Sequence, residues 1–178
     1  MAKTVTVFGC SATRAGSAEY GLAEKLGRLL AERGARVCCG GYTGIMEAVS
    51  KGASEAGGVV VGVTCREVFA ARTVNGYVTD EISEPNLTRR LLRLVQLGDA
   101  YVCLPGSTGT LAELFYTWNQ MNVGDLRRKP LVLLGEEWPP LISLLQASAM
   151  LERGLESRVF LSRTARQAAQ QAVATRDR

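Results

Sequence analysis

Residues 100–124 read AYVCLPGSTGTLAELFYTWNQMNVG, and the sequence of element types in this stretch decides the fold. Ala100 to Leu104 is an apolar run with the length of a buried strand. Pro105-Gly106-Ser107-Thr108-Gly109-Thr110 interrupts it, because two glycines and a proline disfavour further strand or helix. Leu111, Leu114, Phe115, Trp118 and Met121 then recur at helical spacing and predict a helix directly after the loop. A strand, a glycine turn and a helix start direct free backbone N–H groups and the positive end of a helix dipole at one point, which suits a phosphate. At roughly 100° per residue, Glu113, Thr117 and Gln120 share the face opposite Leu111, Leu114 and Trp118. Glu113 is therefore expected in the first turn, on the polar side, beside the glycine loop. An acid there also simply complements the dipole.

Working outward, strand and helix patterns alternate. Thr4 to Phe8 is a strand pattern that ends at Gly9-Cys10-Ser11-Ala12. Ser17 is placed to cap a helix over Ala18–Arg33, with Leu22, Leu26, Leu29 and Leu30 on one stripe and Gly34 just past its end. Arg36 to Cys39 forms a second strand that runs into Gly40-Gly41-Tyr42-Thr43-Gly44, followed by a helix from Ile45 to about Ala56. Val59 to Thr64 is a third strand, apolar almost throughout, as when both faces are covered.

Arg66 to Gly76 has no period and is expected to form a loop over the site, before a short strand over Tyr77–Ile82. Pro85-Asn86 opens a helix to Leu97. Beyond the central stretch come a strand at Pro130–Leu134, a helix at Pro139–Met150 opened by proline, and a short strand at Arg158–Leu161. A terminal helix at Thr164–Thr175 is expected to fray into Arg176-Asp177-Arg178. Such alternation over short connections implies right-handed crossovers and an α/β, Rossmann-like three-layer fold with a mostly parallel sheet of about six or seven strands. With no repeat or linker, residues 1–178 read as a single nucleotide-binding domain.

Three glycine turns follow strand C-terminal ends, which share one edge of an open parallel sheet where ligands bind. A single glycine turn needs no ligand to explain it, but three on one edge point to a phosphate-bearing one. Gly9, Ser11, Gly41, Gly44, Gly106, Ser107, Gly109 and Thr110 are the candidate phosphate- and nucleotide-binding residues. The first turn lacks GxGxxG spacing, and no acidic residue stands where a dinucleotide ribose is read, so a mononucleotide fits better than NAD.

The composition excludes several chemistries. The 178 residues contain no histidine, which removes the usual general base and the commonest metal ligand. Cys10, Cys38, Cys39, Cys65 and Cys103 form no CxxC pair and are odd in number, so neither a disulfide framework nor a zinc site is expected. Reduced thiols, the lack of a leader pattern and the lack of a spanning apolar run predict a cytoplasmic protein that touches no membrane. Aromatics are 6% and the net charge is +4. Without a dense basic stripe interleaved with aromatics, nucleic acid is not the expected partner. Neither a metal nor a cofactor is called for.

One further residue stands out in Asn86–Leu97, NLTRRLLRLVQL. Arg89, Arg93 and Gln96 cluster on a solvent face, whereas Arg90 projects at the edge of the apolar face of Leu87, Leu91 and Leu94. An inward arginine needs an anionic partner, and its planar fork suits a phosphate or a carboxylate. The alternative is an arginine whose stem packs on leucines while its head reaches water.

Pro105-Gly106-Ser107-Thr108-Gly109-Thr110-Leu111-Ala112-Glu113 resembles the PGGxGTxxE signature of the LOG (Lonely Guy) family. Its members are cytokinin riboside 5′-monophosphate phosphoribohydrolases, often labelled possible lysine decarboxylases. Ser107 replaces the second glycine of the signature. Gly40-Gly41-Tyr42-Thr43-Gly44-Ile45-Met46 is similar to the family's GGGxxGLM segment, with Cys39 at the first glycine. Gly57 to Val63 resembles GGxVxGV, and Trp118-Asn119-Gln120 and Lys129-Pro130 also match. The likeness covers roughly Val5 to Leu134.

Counting back from Asp99, the arginine of the family's MHxRK segment falls on Arg90, with Leu87, Thr88 and Leu91 in place of Met, His and Lys. The resemblance implies that Arg90 and Glu113 are catalytic. It also implies hydrolysis of the N-glycosidic bond of a nucleoside 5′-monophosphate, giving free base and ribose 5-phosphate, and a homodimer, for which Tyr116, Thr117 and Asn119 are the only hint in the sequence. The alternative is a non-catalytic nucleotide or molybdenum-cofactor carrier of the same fold. Lys3, Lys25, Lys51 and Lys129 all lie away from the predicted ligand edge, which disfavours a lysine decarboxylase with a Schiff base.

Overall fold

Among the described residues, buried β-branched and apolar runs form the centre of one seven-stranded sheet, with less buried strands at its edges. The computed structural model describes residues 2–151 and 159–174. In chain order the elements are β1 (Thr4–Phe8), α1 (Ala18–Ala31), β2 (Arg36–Cys39), α2 (Ile45–Glu55), β3 (Val60–Thr64), β4 (Asp80–Ser83), α3 (Leu87–Leu97), β5 (Ala100–Cys103), α4 (Thr108–Val123), β6 (Leu131–Leu134), α5 (Trp138–Ala147), β7 (Phe160–Ser162) and α6 (Ala165–Val173). The strands lie in the order β4-β3-β2-β1-β5-β6-β7, and each neighbouring pair is parallel. The α/β, Rossmann-like, three-layer expectation holds.

Side chains alternate through the sheet, so each strand feeds both layers. Val5 and Val7 of β1 join Leu26, Val49 and Ala168 from α1, α2 and α6. Phe8, Tyr101 and Leu133 face Leu94, Trp118 and Ile142 from α3, α4 and α5. Burying both faces is what allows the strands to be apolar without alternation. Thr6, fully buried in β1, donates from Oγ1 to Leu94 O at 2.9 Å, so its polar group is satisfied by α3.

Helix starts follow the capping chemistry expected of them. Ser17, Asn86 and Thr164 each accept a backbone N–H three residues on, from Tyr20, Arg89 and Gln167. Gly34 takes a positive φ of 72° after α1, as a helix-terminating glycine does.

Several boundaries differ from the sequence expectation. The strand expected at Tyr77–Ile82 is Asp80–Ser83, because Tyr77 and Val78 are drawn into the preceding loop by Asn75. The helix expected to reach Met150 ends at Ala147. The last strand begins at Phe160 rather than Arg158, and Arg158 and the tail from 175 lie outside the described residues. Leu87, expected on the apolar face of α3, is exposed like Thr88 and Arg89 in that helix's first turn. No described helix is long and apolar enough to cross a membrane.

Candidate functional site

The strand order reverses between β1 and β5, the two central strands that pair over Val5–Phe8 and Ala100–Cys103. Connections on either side of such a switch point leave in opposite directions and open a crevice at the strand C-termini. A cavity of ≈ 180 Å³ lies there. Of the ten residues expected at the site, Gly9, Ser11, Arg90, Ser107, Gly109, Thr110 and Glu113 line it. Gly41, Gly44 and Gly106 are not among the lining residues, and their glycine identity answers to packing instead. Gly44 has φ 71°, and a Cβ there would sit 2.3 Å from Cys10 O. A Cβ on Gly106 would sit 2.2 Å from Thr110 Oγ1. Gly41 has φ 76°, which disfavours any side chain.

The glycine loop after β5 is shorter than the sequence suggests, and α4 begins at Thr108 rather than at Leu111. Ser107 takes the cap position with φ −83° and ψ −167°, an extended backbone open to any residue, and its side chain makes no capping bond. Thr108, Gly109 and Thr110 form the first turn, where no intrahelical acceptor exists for their N–H groups. Glycine is tolerated because this turn lies at the helix end. A Cβ on Gly109 would meet nothing within 4 Å, so no neighbour requires a glycine there. Its bare backbone leaves the cavity wall open to a ligand's close approach.

The earlier start moves Glu113 into the second turn and away from the surface. Thr117, expected on a polar face, is fully buried, and its hydroxyl donates to Glu113 O at 2.7 Å. Both sides of α4 are therefore covered around Glu113, and Phe115 and Val123 lie on its outer face instead, 37% and 66% exposed.

Arg90 reaches the cavity from α3 and is held by main chain. Its Nε donates to Val63 O at 2.8 Å and its Nη2 to Gly40 O at 3.2 Å. Those carbonyls belong to the ends of β3 and β2, so two strand termini aim the guanidinium. Its Nη1 lies 3.7 Å from Glu113 Oε1, an ion pair too long for a direct hydrogen bond. The Glu113 carboxylate accepts no hydrogen bond from any described residue. Burial pushes its pKa up from 4.5 to about 7, against the lowering influence of Arg90. A carboxyl that exchanges its proton near neutrality, beside a fixed cation and with free lone pairs, is equipped for general acid–base work.

The remaining wall comes from residues that periodicity could not flag. Gly40, Tyr42, Met46, Phe69 and Arg72 all line the cavity. Tyr42 and Phe69 meet edge to face at 5.4 Å. Arg72 lies 4.6 Å from the Phe69 ring centre, and Arg90 lies 5.7 Å from that of Tyr42. Two cations thus flank an aromatic pair. Arg72 has no carboxylate partner among the described residues. Phe69 and Arg72 belong to the segment between β3 and β4, which was expected to lie over the site. Asn75 ties it down by donating from its backbone N–H to Gly41 O and from Nδ2 to Tyr42 O, both at 2.9 Å.

Known proteins resemble the chain in sequence and in fold. The chain is 36% identical over 156 residues to a cytokinin riboside 5′-monophosphate phosphoribohydrolase of Rhodococcoides fascians, covering 83% of this chain and 76% of that protein. The X-ray structure of TM1055 superposes with a TM-score of 0.75 at 29% identity, over 94% of this chain and 96% of the other. The molybdenum cofactor binding protein of the phototrophic bacterium Rippkaea orientalis shares the fold, with a TM-score of 0.73 at 23% identity over 93% and 91% of the two chains. The sequence pattern of the SLOG cluster4 family matches residues 2–157. By that match and by its identity to the Rhodococcoides protein, the chain belongs to the SLOG cluster4 family.

Proposed function

We propose that the protein hydrolyses the N-glycosidic bond of a nucleoside 5′-monophosphate, releasing free base and ribose 5-phosphate. The observation that carries this reading is the convergence of Glu113 and Arg90 on a cavity floored by the N-terminus of α4. In this reading the N–H groups of Thr108, Gly109 and Thr110, with the Ser107 hydroxyl, hold the phosphate. Arg72, which has no carboxylate partner among the described residues, adds a second cation to the cavity wall. At ≈ 180 Å³ the cavity is smaller than the ~300 Å³ at which small-ligand pockets usually begin. It therefore seats the ribose phosphate, and the base extends through the mouth past Phe69.

Cleavage passes through a ribose with oxocarbenium character. The C1′–N bond breaks, and the electron pair leaves with the base, which takes up a proton. A water oxygen bonds to C1′, and its proton passes to the Glu113 carboxylate. Arg90 keeps that carboxylate ionised and orients it. The relatives named as phosphoribohydrolases support this reading. The carrier alternative rests on likeness of fold alone.

A homodimer belongs to the same proposal, with the exposed Phe115 and Val123 of α4, and Leu144 and Met150 beyond it, as the apolar face to be covered. Incubating the purified protein with AMP and with its N6-isopentenyl analogue, and separating products by chromatography, tests the activity. Free base with equimolar ribose 5-phosphate is the expected result. Saturable nucleotide binding without base release would replace the reading with that of a carrier.

A further inference from the structure

A second recess lies at the other end of the sheet, where the strands begin. It encloses ≈ 740 Å³, within the ~300–1,000 Å³ range of ligand pockets. Among the described residues, Lys3, Arg36, Arg127, Arg128 and Lys129 line it, together with a single acid, Asp99. Their net charge of +4 equals that of the whole chain, so every other charge in the sequence cancels. The chain's positive charge is concentrated in this recess.

Two of these cations are fixed in place. Lys3 Nζ donates to Val173 O and Ala174 O, at 2.9 and 3.0 Å, where α6 ends. Lys129 Nζ donates to Gly98 O at 2.5 Å. The other three are unsatisfied. Some arginines elsewhere pair with carboxylates, as Arg28 with Glu55, Arg66 with Glu81 and Arg93 with Glu84. Arg36, Arg127 and Arg128 have no such partner among the described residues. One oxygen of Asp99 is already used by the Thr4 N–H at 2.9 Å. Burial, with Arg127 nearby, pushes the Lys129 pKa down, although Asp99 pulls it up. Like charges crowded on a half-buried floor are stabilised by an anion.

We propose that this recess is a binding site for a small polyanion carrying two or more phosphate groups, separate from the cleft at the strand C-termini. Guanidinium forks match phosphate oxygens bidentately, and three of them are free. The recess has no aromatic lining on which bases could stack, which favours a compact polyphosphate over single-stranded nucleic acid. Thr4 at the recess and Phe8 at the cleft are the two ends of β1, about 13 Å apart at strand rise.

Isothermal titration of the full chain with inorganic tripolyphosphate, at roughly physiological salt, tests the assignment. With excess ribose 5-phosphate occupying the cleft, one tripolyphosphate per chain is expected. Affinity should fall roughly a hundredfold or more in Arg127→Ala/Arg128→Ala, about tenfold or more for each charged hydrogen bond lost. Both arginines are exposed, and Arg36→Ala gives a second variant with the same expected direction. Arg90→Ala should bind tripolyphosphate as the unaltered protein does. Absence of saturable binding, undiminished binding in both recess variants, or loss in Arg90→Ala would overturn the proposal. So would displacement of tripolyphosphate by a short oligothymidylate at lower concentration, which would make the surface one for nucleic acid.

Discussion

Arg90 and Glu113 approach to 3.7 Å across the switch point of the sheet, close enough for strong coupling and too far to use up each other's hydrogen-bonding capacity. The arginine donates its other nitrogens to Val63 O and Gly40 O. The carboxylate has its cavity-facing lone pairs free. Because α4 supplies the carboxylate and α3 the guanidinium, each can be altered without removing a strand.

Glu113 should set the pH dependence of the reaction. Its pKa is raised to about 7, and the ionised form is the one that accepts a proton from water. The rate kcat/KM is expected to rise with pH and level off above about 7, with Glu113→Gln eliminating turnover at every pH. Stability runs the other way. The folded protein holds this proton more tightly than the unfolded chain, so this contribution is complete below 4.5 and is lost as pH rises through about 7. Melting curves at pH 5 and pH 8 should show Glu113→Gln gaining on the unaltered protein at the higher pH. A rate profile flat between pH 5 and 8 would remove Glu113 from the proton transfer.

Arg90→Ala removes the one charge that lowers the Glu113 pKa. Residual activity should therefore need a higher pH, with the ascending limb displaced upward. A profile reduced in height at every pH but unmoved along the pH axis would mean that Arg90 positions the substrate without tuning the acid.

Gly40→Ala offers a test of Arg90 without touching it. A Cβ at Gly40 would lie 1.8 Å from Arg90 Nη2 and 2.5 Å from Met46 Sδ, so the guanidinium must leave. The side-chain end is free to swing, so the fold should survive. Activity should fall nearly as far as in Arg90→Ala, and the two changes together should cost little more than either. Additive losses in the double variant would show that Gly40 acts independently of Arg90.

Arg72→Ala should discriminate binding from chemistry. Arg72 stacks on Phe69 at the cavity mouth, farther from the acid than Arg90 is held. With AMP, KM is expected to rise about tenfold with kcat nearly unchanged, the pattern of a lost contact made equally in ground and transition states. An equal fall in kcat and kcat/KM would place Arg72 at the reacting bond instead.

What could be read from the sequence follows the physics of each segment. Caps announce themselves through side chains that bond the next turn, so Ser17, Asn86 and Thr164 placed their helices closely. Seven of the residues lining the cavity were legible because glycine turns after apolar runs and an arginine on a leucine face break a pattern. Gly40 and Tyr42 sat inside a recognised turn, yet spacing does not tell which turn residue faces the cleft. Phe69 and Arg72 belong to a segment with no period, positioned by tertiary bonds from Asn75 and by the packing of Phe69 on Tyr42. Thr117 was misplaced because helical projection assumes one wet face, and α4 is covered on both sides around Glu113.

The last expectation concerns how the layer of α1 and α2 is held together. The two helices touch backbone to backbone through a reciprocal pair of glycines. A Cβ on Gly27 would meet Val49 O at 2.0 Å, and one on Gly52 would meet Glu24 O at 1.8 Å. Both obstacles are main chain and cannot swing aside, so the helices themselves must part. Gly27→Ala and Gly52→Ala should each destabilise by about 1–3 kcal/mol, lowering the melting temperature by several degrees at roughly 2–4 °C per kcal/mol. Gly21, in the same helix α1, is exposed and has nothing within 4 Å of its would-be Cβ. There alanine should stabilise by ~0.5–1 kcal/mol, since it only removes glycine's entropic cost in a helix. Opposite signs at two positions of one helix separate packing from propensity. A loss of stability in Gly21→Ala matching that in Gly27→Ala would mean that close helix contact is not what those glycines serve.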